Sequence, residues 1–374
     1  MRRFLLALLL LLFPVSAGAG EGVTIPVVAP FAGRLAFLAP GVENGARLRV
    51  EELNTNGGIN GSPVKVVFRN DFSTPGSAAG LAARLVADPR FPVVVGHVGS
   101  ATVAAALPIY RPAGLALISP STVTVSAGGP GPDCFRIACR SDLEAAFIVR
   151  YARQVRHFRR VAVFYAADDY GLALKNGFLR AADRAGLAVV ALASWRAGDS
   201  DFRAQLAGFR NQRPEALLIA GYARPASLII TQARSLGMEC AFLGGAGFDD
   251  GVMLANPAAE GLFVTSPFPV DRKSAMVRDF VERYRSRFGI EPDWLAANTY
   301  DAVGLAAAAI GRAGADREKI RSWLAGRDRP DRAYPGITGP IYFDDRGNCR
   351  KPVYGKLLRH GRWVGAAEQL QQQP

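Results

Sequence analysis

Histidine, cysteine and lysine are scarce in this chain, and each scarcity argues against a class of function. His97, His157 and His360 stand far apart, and Cys134, Cys139, Cys240 and Cys349 form no Cys-x-x-Cys pair. Neither residue type offers a metal-ligand spacing, so no metal or cofactor is expected. Only six of the 45 basic residues are lysine, and no run interleaves basic with aromatic residues. The formal charge of +13 therefore does not point to nucleic acid. The densest basic cluster, Arg156 to Arg160, sits between a helical and a strand pattern and reads as a solvated helix end. Catalytic signatures are missing too. Ser100 lies near His97, but His97–Thr102 lacks Gly-x-Ser-x-Gly, and no acid is evidently placed to orient the histidine. Gly244-Gly245-Ala246-Gly247 fits neither a dinucleotide-binding nor a phosphate-binding loop. Asp168-Asp169 and Asp249-Asp250 read as helix caps rather than acid–base pairs. No enzyme is expected.

The N-terminus carries the one long apolar run. Arg2 and Arg3 precede Phe4 to Val15, and Ala17-Gly18-Ala19 supplies small residues for a signal peptidase. The run is shorter than the roughly 20 residues that span a bilayer. Residues 1–19 are thus expected to be a signal peptide, with the mature chain beginning at Gly20. No cysteine lies near that site, so the mature protein is expected free in the periplasm rather than lipid-anchored. Four cysteines in an oxidising compartment allow three full pairings, which spacing does not resolve.

The remaining length suits two lobes, and strand and helix patterns alternate from Val23 onward as in parallel α/β sheets. The stretch from Phe91 to Thr122 holds one whole unit. Pro92 to Val95 and Leu115 to Ile118 read as buried strands, with a helix between them that Ser100 is placed to cap. Ligands settle beyond the carboxyl ends of parallel strands, so the 96–102 and 119–124 loops should share a crevice. Their hydroxyls and free N–H groups suit a carboxylate at a helix N-terminus. Asn56 to Gly61 reads as a structural turn. After the crossing at Cys134 to Ala138, the strand–helix pattern repeats. Pro340 to Phe343 and Val353 to Leu358 look like a closing hairpin.

Gly96-His97-x-x-Ser100, followed by Ile118-Ser119-Pro120, resembles the leucine/isoleucine/valine-binding protein family of type I periplasmic binding proteins. Asn44–Gly61, Tyr165–Gly171, Ala259–Phe268 and Thr299–Ile310 also resemble family segments in the expected order. The resemblance implies two similar lobes, each a parallel sheet flanked by helices, joined by a three-strand hinge. Residues 20–138 and 267–339 would form lobe one, and 139–266 and 340–374 lobe two. It further implies a monomer that closes on a small organic acid or amino acid and delivers it to an inner-membrane ABC permease. A sensor of amides or other small molecules on the same fold is the alternative of another class.

Carried over residue by residue, Ser100 and Gly99 match the carboxylate-binding loop, and Ser121, Thr122 and Val123 the loop that completes it. Val123 stands where the family has a threonine. Tyr170 matches the tyrosine that covers the ligand from lobe two, and Tyr222 falls in a segment contributing another aromatic. Phe31, Phe37, Phe248 and Trp294 are looser candidates for an apolar wall, and Arg34 for a second charge. Ala246 occupies the position where the family has an acid that receives an α-ammonium. An ammonium buried without a partner is costly. The expected ligand is therefore an aromatic or branched aliphatic acid without that group, unless Asp249 or Asp250 reaches in; branched-chain or other hydrophobic amino acids are the alternative.

Export is directly checkable. Mass analysis of the periplasmic fraction should find a soluble protein starting near Gly20; an intact Met1 there, or retention in the membrane, would contradict the signal-peptide reading.

Overall fold

A computed structural model describes residues 22–121, 133–267 and 274–366. The first part of the chain builds β1 (Val23–Ala29), α1 (Ala39–Thr55), β2 (Val64–Asn70), α2 (Pro75–Ala87), β3 (Val93–Val95), α3 (Ser100–Tyr110), β4 (Ala116–Ser119) and β5 (Cys134–Arg136). Every pairing in this sheet is parallel, in the order β2-β1-β3-β4-β5. Its central strands are buried, as their β-branched runs require.

The chain then crosses into a second sheet through α4 (Ser141–Arg150), which continues as a π-helical turn over Tyr151–Val155. There follow β6 (Arg160–Ala166), α5 (Asp169–Arg184), β7 (Ala188–Trp195), α6 (Arg203–Asn211), β8 (Ala216–Ala220), α7 (Ala223–Ser235), β9 (Ala241–Gly244), α8 (Gly251–Leu254) and β10 (Phe263–Ser266). Helices α9 (Ala275–Phe288), α10 (Trp294–Ala313) and α11 (Arg317–Ala325) pack in the first lobe, where α10 and α11 share the core of β1, β3 and β4. The described chain ends with β11 (Tyr334–Gly336), β12 (Gly339–Ile341), β13 (Tyr354–Arg359) and β14 (Arg362–Gly365).

The closing hairpin differs from the one expected. β12 pairs back with β11, where Gly339 has φ +106°, and does not pair with β13. β13 instead adds antiparallel to the free edge of β10 and turns through His360 and Gly361, both with positive φ, into β14. Burial accounts for the change. Leu357 and Leu358 project into the hydrophobic clusters on opposite faces of the second sheet, a placement open only to a strand within that sheet. The 56–61 turn behaves as read: Gly57, Gly58, Asn60 and Gly61 all have positive φ.

A buried polar chain ties the crossings together. Asp301 on α10 accepts from the Ile337 and Thr338 N–H groups and from the Thr338 hydroxyl, at 2.5–3.0 Å. Lys351 donates to Thr338 Oγ1 at 2.9 Å and to Asn298 Oδ1 at 2.8 Å, while Asn298 Nδ2 reaches Pro120 O at 2.9 Å. Burial lowers the pKa of Lys351, and the Asp301 carboxylate opposes this. All four cysteines are free thiols.

Helices α1 and α10 meet at backbone distance: a Cβ on Gly45 would stand 2.3 Å from Ala296 O. Gly45→Ala should therefore destabilise the protein by roughly 1–3 kcal/mol through overpacking, seen as a lower urea midpoint at unchanged slope.

Candidate functional site

Strand order reverses once in each sheet. In the first sheet the reversal lies between β1 and β3, and in the second between β6 and β8. Loops leaving the carboxyl ends of those strands diverge and leave a crevice. The segments that follow β1, β3, β6 and β8 carry Phe37, Gly99, Tyr170 and Tyr222. The two crevices face one another: the Phe37 ring from lobe one meets the Tyr222 ring from lobe two edge-on, centroids 5.7 Å apart.

A narrow, largely enclosed cavity lies between them. Ser121, Trp294 and Asn298 line it from the first lobe, and Glu144, Tyr170, Tyr222, Ala246 and Gly247 from the second. Ala138, Cys139 and Pro267 close it at the crossings. The structure thus brings together five of the residues singled out from sequence: Ser121, Tyr170, Tyr222, Ala246 and Trp294.

The other described candidates are not in that lining. Gly99, not Ser100, is the N-cap of α3, and Ser100 is the first helical residue. Two hydroxyls fix the loop before it: Ser119 Oγ donates to His97 O at 2.9 Å and Ser121 Oγ to Val98 O at 2.5 Å. Gly99 and Ser100 are outside the described lining of the cavity, and Thr122 and Val123 lie outside the described residues. Phe248 is fully buried in a core cluster of lobe two, its ring occupying the space beside Gly244. Phe31 packs edge-on against Phe68, and Arg34 is exposed.

His97 does have an orienting acid, contrary to the sequence reading. Its Nδ1 lies 2.8 Å from Asp71 Oδ2, and its Nε2 lies 3.1 Å from the Tyr110 hydroxyl. Asp71 is 26 positions upstream, at the end of β2, so no local motif announces it. Both ring nitrogens thus have partners other than a serine, and the network braces the Gly96–Gly99 turn.

Glu144 escaped sequence reasoning altogether. It is 3 % exposed and sits on the stripe of α4 that also buries Ser141, Ala145 and Ile148. A carboxylate at i+3 within a buried helical stripe was the available signal. Its Oε2 faces the Tyr170 hydroxyl at 3.3 Å, and the Ala246 N–H donates to the carboxylate. The Tyr170 oxygen also accepts from Gly247 N–H at 3.2 Å. This close approach explains the glycines of the turn, since a Cβ at Gly245 would stand 2.3 Å from the Tyr170 hydroxyl. Burial pushes the Glu144 pKa from 4.5 up to about 7, against the lowering effect of those hydrogen bonds. No described lining residue is basic.

The neighbouring acids are engaged elsewhere. Asp168 and Asp250 cap α5 and α8, and Asp249 is buried against Lys356 Nζ at 2.7 Å.

A raised carboxylate pKa implies a definite pH dependence. Between about pH 4.5 and 7 the folded state holds a proton on Glu144 that the unfolded state has released, so stability falls as pH rises through that window. In urea titrations of ligand-free protein, Glu144→Gln should remove about 3 kcal/mol of that fall; parallel pH profiles would contradict the assignment.

Comparison with known proteins agrees with this architecture. The periplasmic binding protein family model matches residues 22–354. The leucine-, isoleucine-, valine-, threonine- and alanine-binding protein of Pseudomonas aeruginosa is 26% identical over 339 residues, covering 89% of this chain and 88% of its own. The substrate-binding protein LivJ of Streptococcus pneumoniae, solved with isoleucine, is 27% identical with a TM-score of 0.82, covering 92% of this chain and 98% of its own. A solute-binding protein from R. palustris, solved with benzoate, shares the fold at 21% identity with a TM-score of 0.80, covering 92% and 96%. The chain belongs to the periplasmic binding protein family, within the type I group that includes the leucine/isoleucine/valine-binding proteins.

Proposed function

We propose that this protein is the substrate-binding component of an ABC importer, exported to the periplasm, where as a monomer it closes on a small apolar ligand bearing a carboxylate. The observation that carries this reading is the cavity between the two strand-order reversals, lined from both lobes. The lobes divide at the crossings near residues 138, 266 and 340. The ligand's carboxylate is assigned to the N-terminal turn of α3, with Ser100 and the loop at Ser121. Its apolar part lies against Tyr170, Tyr222 and Trp294. Only a closed cleft offers both sets of contacts, so ligand shifts the population toward closure, and the closed form is what a permease would recognise.

Two ligand classes fit a carboxylate clamp. A hydrophobic α-amino acid is favoured by Glu144, a carboxylate in the cavity with no basic residue beside it among the described lining. An aromatic or branched aliphatic acid without an ammonium is favoured by the alanine at 246. The names of the relatives at 26–27% identity support the first class.

A thermal-shift screen of amino acids and matched carboxylates should find ligands that raise the melting temperature. Ser100→Ala should weaken them by roughly 1.5–3 kcal/mol in calorimetry while barely changing ligand-free stability. Unchanged affinity with a sharp drop in melting temperature would make Ser100 structural and move the clamp.

A further inference from the structure

Resting on the reading that this cleft holds a small carboxylate ligand, we infer that Glu144 receives the α-ammonium of an amino-acid ligand, in place of the acid absent at position 246. The charge arrives from α4 rather than from the turn after β9. That turn contributes its backbone instead: the Ala246 N–H donates to Glu144, and Gly247 N–H holds the Tyr170 hydroxyl that also faces it. The methyl of Ala246 lines the same cavity as the carboxylate.

A buried carboxylate needs a cation or several donors to offset its lost hydration. The Tyr170 hydroxyl supplies one donor at 3.3 Å, and the Ala246 N–H and the fully buried Thr265 hydroxyl lie close enough to favour the ionised form as well, but none of the three carries a charge. No described residue forms an ion pair with Glu144, and none lining the cavity is basic. When Glu144 ionises, the positive charge beside it is therefore the ligand's. Asp249 and Asp250 have their own partners, Lys356 and the Val252 N–H, and are not competitors for the role.

The titratable groups around Glu144 sharpen the expectation. Tyr170 on α5, Tyr222 ahead of α7 and Cys139 ahead of α4 all have their pKa raised by burial, so none adds a charge near neutral pH. Without ligand, burial holds Glu144 protonated up to about pH 7. An arriving ammonium requires the ionised form, and a proton leaves as the amino acid binds.

Calorimetry on ligand-stripped protein would pair leucine with 4-methylpentanoate, and phenylalanine with 3-phenylpropionate. In the wild type, at least one amino acid should bind more tightly than its deaminated partner, with affinity rising from about pH 6 to 8 and proton release visible across buffers of different ionisation enthalpy. Glu144→Gln should weaken that amino acid roughly 10- to 100-fold, leave its partner within a few-fold, and abolish the proton release. Adding Ala246→Glu to Glu144→Gln should restore part of the loss. Tighter binding of both deaminated acids to the wild type would overturn the inference while leaving the cleft reading intact. So would Glu144→Gln, shown to be folded by its melting curve, binding the amino acid as the wild type does. Binding of none of the four compounds would overturn both.

Discussion

The cleft is built around a carboxylate buried with no cation beside it among the described residues. Glu144 is held by a tyrosine hydroxyl and a backbone N–H, and those two partners dictate much of the surrounding geometry. Tyr170 must approach the turn after β9 closely, and that approach is possible because the turn is glycine-rich. Tyr170 in turn lies against Tyr222, centroids 5.3 Å apart, and Tyr222 touches Phe37 across the cleft. A single electrostatic requirement thus connects α4, α5, the turn after β9 and the interlobe contact.

The opposite wall is organised by different physics. The Gly96–Gly99 turn has a Cβ-intolerant position, since Gly96 has φ +121° and an added Cβ would stand 2.1 Å from Val28 O. The Asp71–His97–Tyr110 network and the Ser119 and Ser121 hydroxyls fix what the glycine permits. Behind the cavity, Asn298 links Pro120 to the buried Lys351, so the wall that Asn298 provides is coupled to one of the chain's crossings. Rigid walls on two lobes, joined by crossings, suit a protein that moves as two bodies rather than by local rearrangement.

Much of this was legible in the residues. Buried β-branched runs marked the strands, their alternation with helical patterns marked parallel sheets, and glycine and asparagine marked the 56–61 turn. Tyr170 and Tyr222 were found through the resemblance of their segments. What was not legible depends on long-range contact. Asp71 meets His97 only after β2 and β3 take their places around β1, and Glu144 on α4 is remote in sequence from Tyr170 and the turn at Ala246 that it meets in the cleft. The last hairpin failed for the same reason: two apolar runs around a turn look like partners until the edge of β10 offers one of them deeper burial. Phe248, attractive as an aromatic wall, is drawn into the core by the space beside Gly244.

The central claim is that both walls act on one ligand and that binding closes the lobes. Small-angle X-ray scattering on the mature protein, stripped of ligand and then saturated with leucine, tests it most directly. The account predicts a smaller radius of gyration with leucine, and scattering that matches the closed arrangement in which Phe37 and Tyr222 touch. Identical scattering in both states, with leucine shown to be bound, would contradict it.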